Sequence, residues 1–136
     1  MNYLISDDRK LIDLDAVWRF LSTEAYWGRQ RSKTEVKLQI TNAWRLVGAY
    51  REDTRELVGF ARAVSDGVNF GYLADVFVLP EHRAAGLGQK LVAKMIDEGP
   101  GAKFRWVLFT ADAHGLYRKF GFAEPDQSAL VRPATD

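Results

Sequence analysis

The chain has 136 residues, of which 47% are hydrophobic, so it can bury the core of one domain over residues 1–136. Its formal net charge of +1 argues against a nucleic-acid partner or a membrane partner bound through bulk electrostatics. The absence of cysteine excludes disulfides, thiolate metal sites and cysteine nucleophiles, and the two histidines predict no metal site by themselves.

The N-terminal part of the chain predicts one short strand followed by two helices. Residues 3–5 are a strand candidate, and apolar residues between Leu11 and Leu21 recur at three- and four-residue spacing, as on an amphipathic helix. Ser32 with Glu35 three residues later is the capping-box pattern, which predicts that a second helix begins there.

Three strands are predicted next, over residues 44–50, 57–64 and 68–79. The Asp66–Gly67 pair between the last two is typical of a hairpin turn. These three strands should therefore form an antiparallel meander.

After Pro80 the pattern changes to alternating helices and strands. Residues 87–96 define an apolar helical face, and residues 104–110 form a continuous apolar strand that suggests burial on both faces. A short helix over 113–120 and a weak strand over 128–131 complete the order β-α-α-β-β-β-α-β-α-β. This order predicts a mixed α/β fold of the α+β type, three layers thick.

No part of the chain approaches the roughly 18–20 apolar residues that cross a bilayer. The N-terminus also lacks the apolar run of a signal peptide. The sequence therefore predicts a cytoplasmic protein with no membrane partner.

The turn after the third meander strand is rich in glycine. A strand–turn–helix junction gathers unpaired N–H groups at the positive end of a helix dipole, and glycines let an anion approach the backbone. The segment from Arg83 to Gln89 is thus a candidate anion cradle. It fails as a P-loop, since Gly88 is not followed by Lys-Ser/Thr, and as a dinucleotide fingerprint, since Leu91 replaces the third glycine. Residues 83–88 match instead the Arg/Gln-x-x-Gly-x-Gly/Ala pattern that binds the coenzyme A pyrophosphate.

Two further segments carry a family resemblance. The strand YLADVFV over residues 72–78 precedes the glycine turn, and AHGLYRKFGF over residues 113–122 resembles a terminal motif with Leu-Tyr and Phe-Gly-Phe. Together with the glycine turn, they make the chain similar to the GCN5-related N-acetyltransferases, the GNAT superfamily, over nearly its whole length. The resemblance implies the GNAT fold and transfer of an acetyl group from acetyl-CoA to an amine through a tetrahedral intermediate.

The same resemblance implies where acetyl-CoA, the cosubstrate, would bind. Backbone groups of residues 76–78 would meet the pantetheine arm, and an N–H near Val76 would face the thioester oxygen. This strand and the one over 104–110 should splay apart and leave a slot. The implied cofactor-binding residues are Val76, Phe77, Val78, Arg83, Ala84, Ala85, Gly86, Leu87, Gly88, Gln89, Asp112 and His114.

Two side chains are catalytic candidates by resemblance. Tyr117 is the expected acid, because a phenol with an ordinary pKa near 10 can protonate the leaving thiolate at neutral pH. Asp75 is the candidate base that takes a proton from the amine, acting through water. The alternatives are a packed core aromatic for Tyr117 and a satisfied strand carboxylate for Asp75.

The acceptor wall is expected between the first two helices, where Glu24 could bind an ammonium group and Trp27 could cover it by cation–π contact. Tyr72 is a third substrate-binding candidate. Each of these residues could instead have a purely structural role. Glu24 and Trp27 could belong to a loop held in place by aromatic side chains, and Tyr72 could be a strand residue that faces the core. A small-molecule amine is the predicted acceptor and a homodimer a further expectation. A protein or peptide acceptor, or an acyl-CoA-binding sensor without turnover, is the alternative.

Overall fold

The protein's computed structural model describes residues 1–25 and 30–135. Its sheet has the strand order β1-β2-β3-β4-β5, antiparallel from β1 to β4 and parallel between β4 and β5. The strands are β1 (Tyr3–Ser6), β2 (Arg45–Arg51), β3 (Leu57–Ser65), β4 (Phe70–Val78) and β5 (Arg105–Val107). The helices are α1 (Leu14–Thr23), α2 (Lys33–Asn42), α3 (Leu87–Met95) and α4 (His114–Arg118), with 3-10 turns at Arg9–Leu11 and Pro80–Ala85.

The first two helices begin at side-chain caps. The Asp13 carboxylate accepts a hydrogen bond from the N–H of Ala16 at the start of α1. At the start of α2, the Ser32 side chain and Glu35 form both halves of the predicted capping box. Both predicted helices are therefore confirmed.

The predicted meander is also confirmed. Strands β2, β3 and β4 pair antiparallel in sequence order. The β3–β4 turn places Gly67 at a φ of +84°, in the left-handed region that glycine adopts at low cost.

Two cores on opposite faces of the sheet give the predicted three layers. One core packs α3 against alternate residues of the central strands, and Tyr117 lies at its edge. The other packs α1 and α2 against the opposite residues, and in it Phe20 stacks on Phe77 with ring centroids 4.1 Å apart. The mixed α/β prediction is therefore correct. None of the helices in the described ranges has the length and apolar character needed to span a bilayer.

Two strand predictions fail near the C-terminus. The apolar run over 104–110 suggested burial on both faces, but β5 is a three-residue strand at the sheet edge, and Phe109 is 65% exposed. Residues 128–131 form no strand, and Leu130 is 96% exposed. An apolar run becomes a buried strand only where the sheet offers pairing partners, and neither segment has them on both sides in the described part of the chain.

Candidate active site

A cleft opens where β4 and β5 separate. The two parallel strands pair only from Phe70–Arg105 to Tyr72–Val107, and past that point the chain turns away toward α4. The cleft has a volume of about 1620 Å³ and is lined by residues of both strands and of the segment around α4. This is the predicted splay, and it leaves space beside the second half of β4.

A β-bulge shapes the floor of this cleft. Phe77 pairs with Phe60 and Ala74 with Arg62, so Ala61 lies opposite both Asp75 and Val76. Asp75 has a φ of +55°, in the left-handed region that aspartate tolerates better than most residues. A bulge takes backbone groups out of the regular ladder, and here it does so beside Val76, which lines the cleft.

The bulge also changes the face of the sheet on which the following side chains of β4 lie. Leu73 and Val76 pack on the α3 side, although three positions separate them, while Phe77 packs on the α1–α2 side. The Asp75 carboxylate reaches arginines from β3 and from the segment before α2. Without the extra residue, strict alternation would place Leu73 and Val76 on opposite faces.

Two arginines in the described part of the chain bind Asp75. Arg31 binds it in a bidentate manner, with N···O distances of 2.9 and 2.8 Å, and Nε of Arg62 donates at 2.9 Å. The side chains are 17% exposed for Arg31, 9% for Arg62 and 5% for Asp75. Gln39 accepts a further hydrogen bond from Arg31 at 2.6 Å.

These contacts set the pKa of Asp75. Burial alone raises the pKa of this carboxyl, but the hydrogen bonds and positive charges of Arg31 and Arg62 outweigh burial and lower the pKa below its ordinary value. The carboxylate is therefore ionised at neutral pH and is a weak proton acceptor. Its assignment as the general base stays a prediction, and these contacts do not favour it.

The glycine turn lies at the start of α3. Gly86 precedes the helix with a φ of +70°, and no side chain caps the first turn. The helix therefore presents backbone N–H groups that no side chain satisfies. Arg83 is exposed beside the turn and donates from Nε to the carbonyl oxygen of Val78 at 3.0 Å.

The predicted cofactor-binding residues differ in which of their groups are accessible. The side chains of Phe77 and Leu87 are buried in the two cores, so only their backbone groups remain for a ligand. Ala84, Ala85 and Gln89 are exposed near the glycine turn. The turn faces α4, because a Cβ on Gly88 would lie 3.5 Å from Cδ2 of Leu116.

The segment between β5 and α4 lines the other side of the cleft. The Thr110 hydroxyl accepts hydrogen bonds from the N–H groups of Asp112 and Ala113, at 3.4 and 3.2 Å. Nε2 of His114 lies 3.1 Å from the Thr110 carbonyl oxygen. These bonds order the turn into α4, where Tyr117 is 8% exposed, packs edge-on against Phe122 and lines the cleft.

The structure brings some of the predicted site residues into one cleft and leaves others apart. Those that line the cleft are Tyr72, Asp75, Val76, Asp112, His114 and Tyr117. Glu24 lines a smaller cleft of about 240 Å³ between α1 and the end of β4, and Trp27 lies outside the described residues. The acceptor role predicted for these two therefore stays a prediction.

The sequence reading missed Arg31, Arg62 and Gln39. Arg62 had a usable signal, because it is a charged residue inside the apolar strand LVGFARAVS and such a residue needs a buried partner. Arg31 and Gln39 had none, since their contact with Asp75 depends on how α2 packs on the sheet.

Comparison with known proteins adds a family assignment for most of the chain. The model described as the Acetyltransferase (GNAT) family matches residues 14–122. A crystal structure of a candidate GNAT acetyltransferase from Xanthomonas campestris has a TM-score of 0.87 and 35% identity, over 98% of this chain and 94% of that one.

Two other relatives differ more in length or sequence. The chain is 30% identical to the chloroplastic GCN5-related N-acetyltransferase 1 of Arabidopsis thaliana, over 91% of this chain but only 64% of that protein's length. A Clostridium acetobutylicum structure of a candidate acetyltransferase with acetyl-CoA has a TM-score of 0.66 and 16% identity, over 96% of this chain and 95% of that one. The second likeness is one of fold alone.

Proposed function

The chain belongs to the GNAT acetyltransferase family, and from that premise we propose that it transfers an acetyl group from acetyl-CoA to the primary amine of a small molecule. The observation that carries the proposal is the cleft between β4 and β5, with a bulged strand on one side and Tyr117 on the other. An acyl carrier arm entering this cleft would lie between a backbone that can bind an oxyanion and a phenol that can give a proton.

The glycine turn supports a role in binding the coenzyme A pyrophosphate. The first turn of α3 has no side-chain cap, and Gly86 is exposed with open space where a Cβ would stand. Unpaired N–H groups and the positive end of the helix dipole attract phosphate oxygens. Arg83 is exposed beside the turn, and its positive charge can pair with the same anion.

A substitution at Gly88 tests this cradle. Gly88→Asp should raise the Kd for acetyl-CoA by at least about 100-fold, because a carboxylate a few ångströms from the pyrophosphate costs several kcal/mol. The fold should persist, since the new Cβ meets Leu116 at an ordinary 3.5 Å and an acidic residue suits the first turn of a helix. Calorimetric titration with acetyl-CoA measures the effect.

Gly88→Asn is the matched control, because it adds a side chain of the same size without the charge. Its Kd should lie between those of the wild type and Gly88→Asp. A folded aspartate variant with wild-type affinity would remove the glycine turn from the coenzyme site.

The reaction needs charge stabilisation at two atoms. The amine nitrogen attacks the thioester carbon, and the carbonyl oxygen becomes an oxyanion, which a backbone N–H group near Val76, beside the bulge, can stabilise. When the intermediate collapses, the C–S bond breaks and the sulfur carries the electron pair. Tyr117 gives this sulfur its phenolic proton and later regains one from solvent.

We propose that Asp75 organises the site instead of taking the proton of the amine. Its two oxygens already accept hydrogen bonds from Arg31 and Arg62, and its lowered pKa makes it a weak base. The neutral form of the amine attacks, and its nitrogen becomes strongly acidic once it is bonded to the thioester carbon. Its proton can then pass to bulk solvent at the exposed rim of the cleft.

The direct test is thiol release from acetyl-CoA in the presence of a panel of small amines, measured beside equilibrium binding of acetyl-CoA. We expect binding together with amine-dependent thiol release. Binding without release across the panel would favour a sensor domain, and release only with peptides would favour a protein acceptor.

A further inference from the structure

We propose that the acceptor carries an anionic group, a carboxylate or a phosphate, together with its amine, and that Arg62 and Arg31 bind that group. This inference rests on the proposed function, because it names the class of acceptor for the same cleft. It begins from the charge balance of the cluster around Asp75.

Among the described residues, the cluster contains two positive charges and one negative charge. Arg31 and Arg62 share the carboxylate of Asp75, and in the described part of the chain neither forms an ion pair with any other acid. All three side chains are largely buried, with exposures of 17%, 9% and 5%. Buried charges in proteins are normally paired, because an uncompensated one keeps its full desolvation cost. The cluster therefore lacks one negative charge.

Other acids that line the cleft do not supply it. Asp97 and Asp112 are exposed, and Glu124 is paired with Arg118. Glu35 acts on Arg31 only at longer range: it helps Asp75 to raise the pKa of Arg31, but its carboxylate accepts the hydrogen bond from Ser32 that caps α2. No described acid other than Asp75 forms an ion pair with either arginine.

Arg62 also has donors to spare. Its hydrogen bond to Asp75 uses Nε, so within the described residues both terminal nitrogens are available to a further acceptor. Among the described residues, the Tyr50 hydroxyl is the only side-chain N or O atom that is fully buried and also lacks a hydrogen-bond partner. The terminal nitrogens of Arg62 are therefore not fully buried, and they are accessible from the cleft that Arg62 lines.

The geometry suits an oxyanion with two or three oxygens. Asp75 fixes the planes of both guanidinium groups, and Gln39 accepts a second hydrogen bond from Nη1 of Arg31, the same nitrogen that donates to Asp75. A fixed guanidinium offers paired N–H groups that match carboxylate or phosphate oxygens. A polyamine would bring further positive charge to this cluster and would be repelled by it. The expected acceptor is an amine with an anionic group further along the same molecule.

The test uses matched pairs of amines. Linear ω-amino carboxylates of three to six carbons are compared with their primary amides, and with the ω-aminoalkyl phosphonates of the same lengths. Kd is measured by NMR titration of protein saturated with coenzyme A, so that the coenzyme phosphate sites are already filled. Acetylation is measured in parallel as thiol release from acetyl-CoA.

We expect at least one anionic series to bind roughly 10–100-fold more tightly than its amides, the range for hydrogen bonds to a charged group. Arg62→Gln should reduce this preference to nearly none, and Arg62→Lys should keep part of it. Arg105→Gln is the matched control, because it removes the same charge from an exposed residue that lines the cleft. This control should leave the preference unchanged.

The outcomes separate the two proposals. Anion-selective binding without thiol release would keep the anion site and overturn the proposed acetyl transfer. Thiol release without any preference for an anionic series would keep acetyl transfer and overturn the anion site. If Arg62→Gln does not fold, the wild-type comparison still decides, because equal Kd values for acids and amides mean that the cluster is structural only.

Discussion

Replacing Tyr117 by phenylalanine should lower kcat by roughly 10²–10⁴-fold, the usual effect of removing a general acid. The expectation follows from its position, since Tyr117 lies in α4, lines the cleft and is 8% exposed. The thiolate that leaves in the last step would then have to depart without a proton from the protein. Steady-state kinetics with a saturating acceptor measures the change.

The fold and the affinity for acetyl-CoA should stay close to those of the wild type, because phenylalanine keeps the ring that packs on Phe122. Tyr50→Phe is the matched control. It removes a hydroxyl whose pKa burial raises to about 12 and which has no hydrogen-bond partner among the described residues. It should leave kcat unchanged and stability equal or slightly higher. A Tyr117→Phe enzyme with the wild-type rate would mean that the residue only packs.

Replacing Asp75 by asparagine should destabilise the fold by about 3 kcal/mol, because it leaves two largely buried guanidinium groups without their counter-charge. Asparagine also tolerates the left-handed φ of +55° found here, so the backbone contributes little to the change. Urea unfolding at pH 7 measures the difference. The same variant should raise the acceptor KM or lower kcat, since the arginines lose the group that orients them, while the affinity for acetyl-CoA is kept.

The stability difference should depend on pH in a defined direction. The folded pKa of Asp75 is lowered, since the two arginines outweigh the effect of burial, so its contribution is complete above the unfolded value of about 3.9. The contribution is lost as pH falls through the folded pKa. The gap between wild type and Asp75→Asn should therefore be constant from pH 5 to 8 and shrink below about pH 4.

Asp53→Asn is the control for this measurement, because Asp53 is exposed and paired only with the nearby Arg51 among the described residues. It should change stability little, as exposed ion pairs do. Equal stability of wild type and Asp75→Asn at pH 7, or a gap that is as large at pH 3 as at pH 7, would contradict a stabilising ionised carboxylate.

Much of the fold could be predicted from local sequence. The capping box at Ser32 and Glu35 and the hairpin at Gly67 are decided by residues within four positions of each other. The face of α3 follows from its own spacing, and its apolar residues are buried. The glycine turn at Gly86 and the position of Tyr117 in a short helix could also be predicted from the sequence, because each belongs to a short motif within or next to a single helix.

The arrangement of the cleft depended on tertiary structure. No residue pattern in the sequence predicted that Asp75 lies in a bulge, because a bulge depends on the register of β4 against β3. The contact between Asp75 and Arg31 joins residues 44 positions apart and depends on how α2 packs on the sheet. Sequence alone suggested Asp75 as a general base and an acceptor site at Glu24, which lies in a different cleft.

The sequence by itself determined the order of the elements, their caps and the glycine turn, because helix starts, hairpins and apolar periodicity are settled by short-range sterics and hydrogen bonds. Tertiary structure decided the charge of the cleft and the failure of the strand over 128–131. Whether an apolar segment pairs, and which charges meet, depends on partners brought together only when the sheet and helices pack.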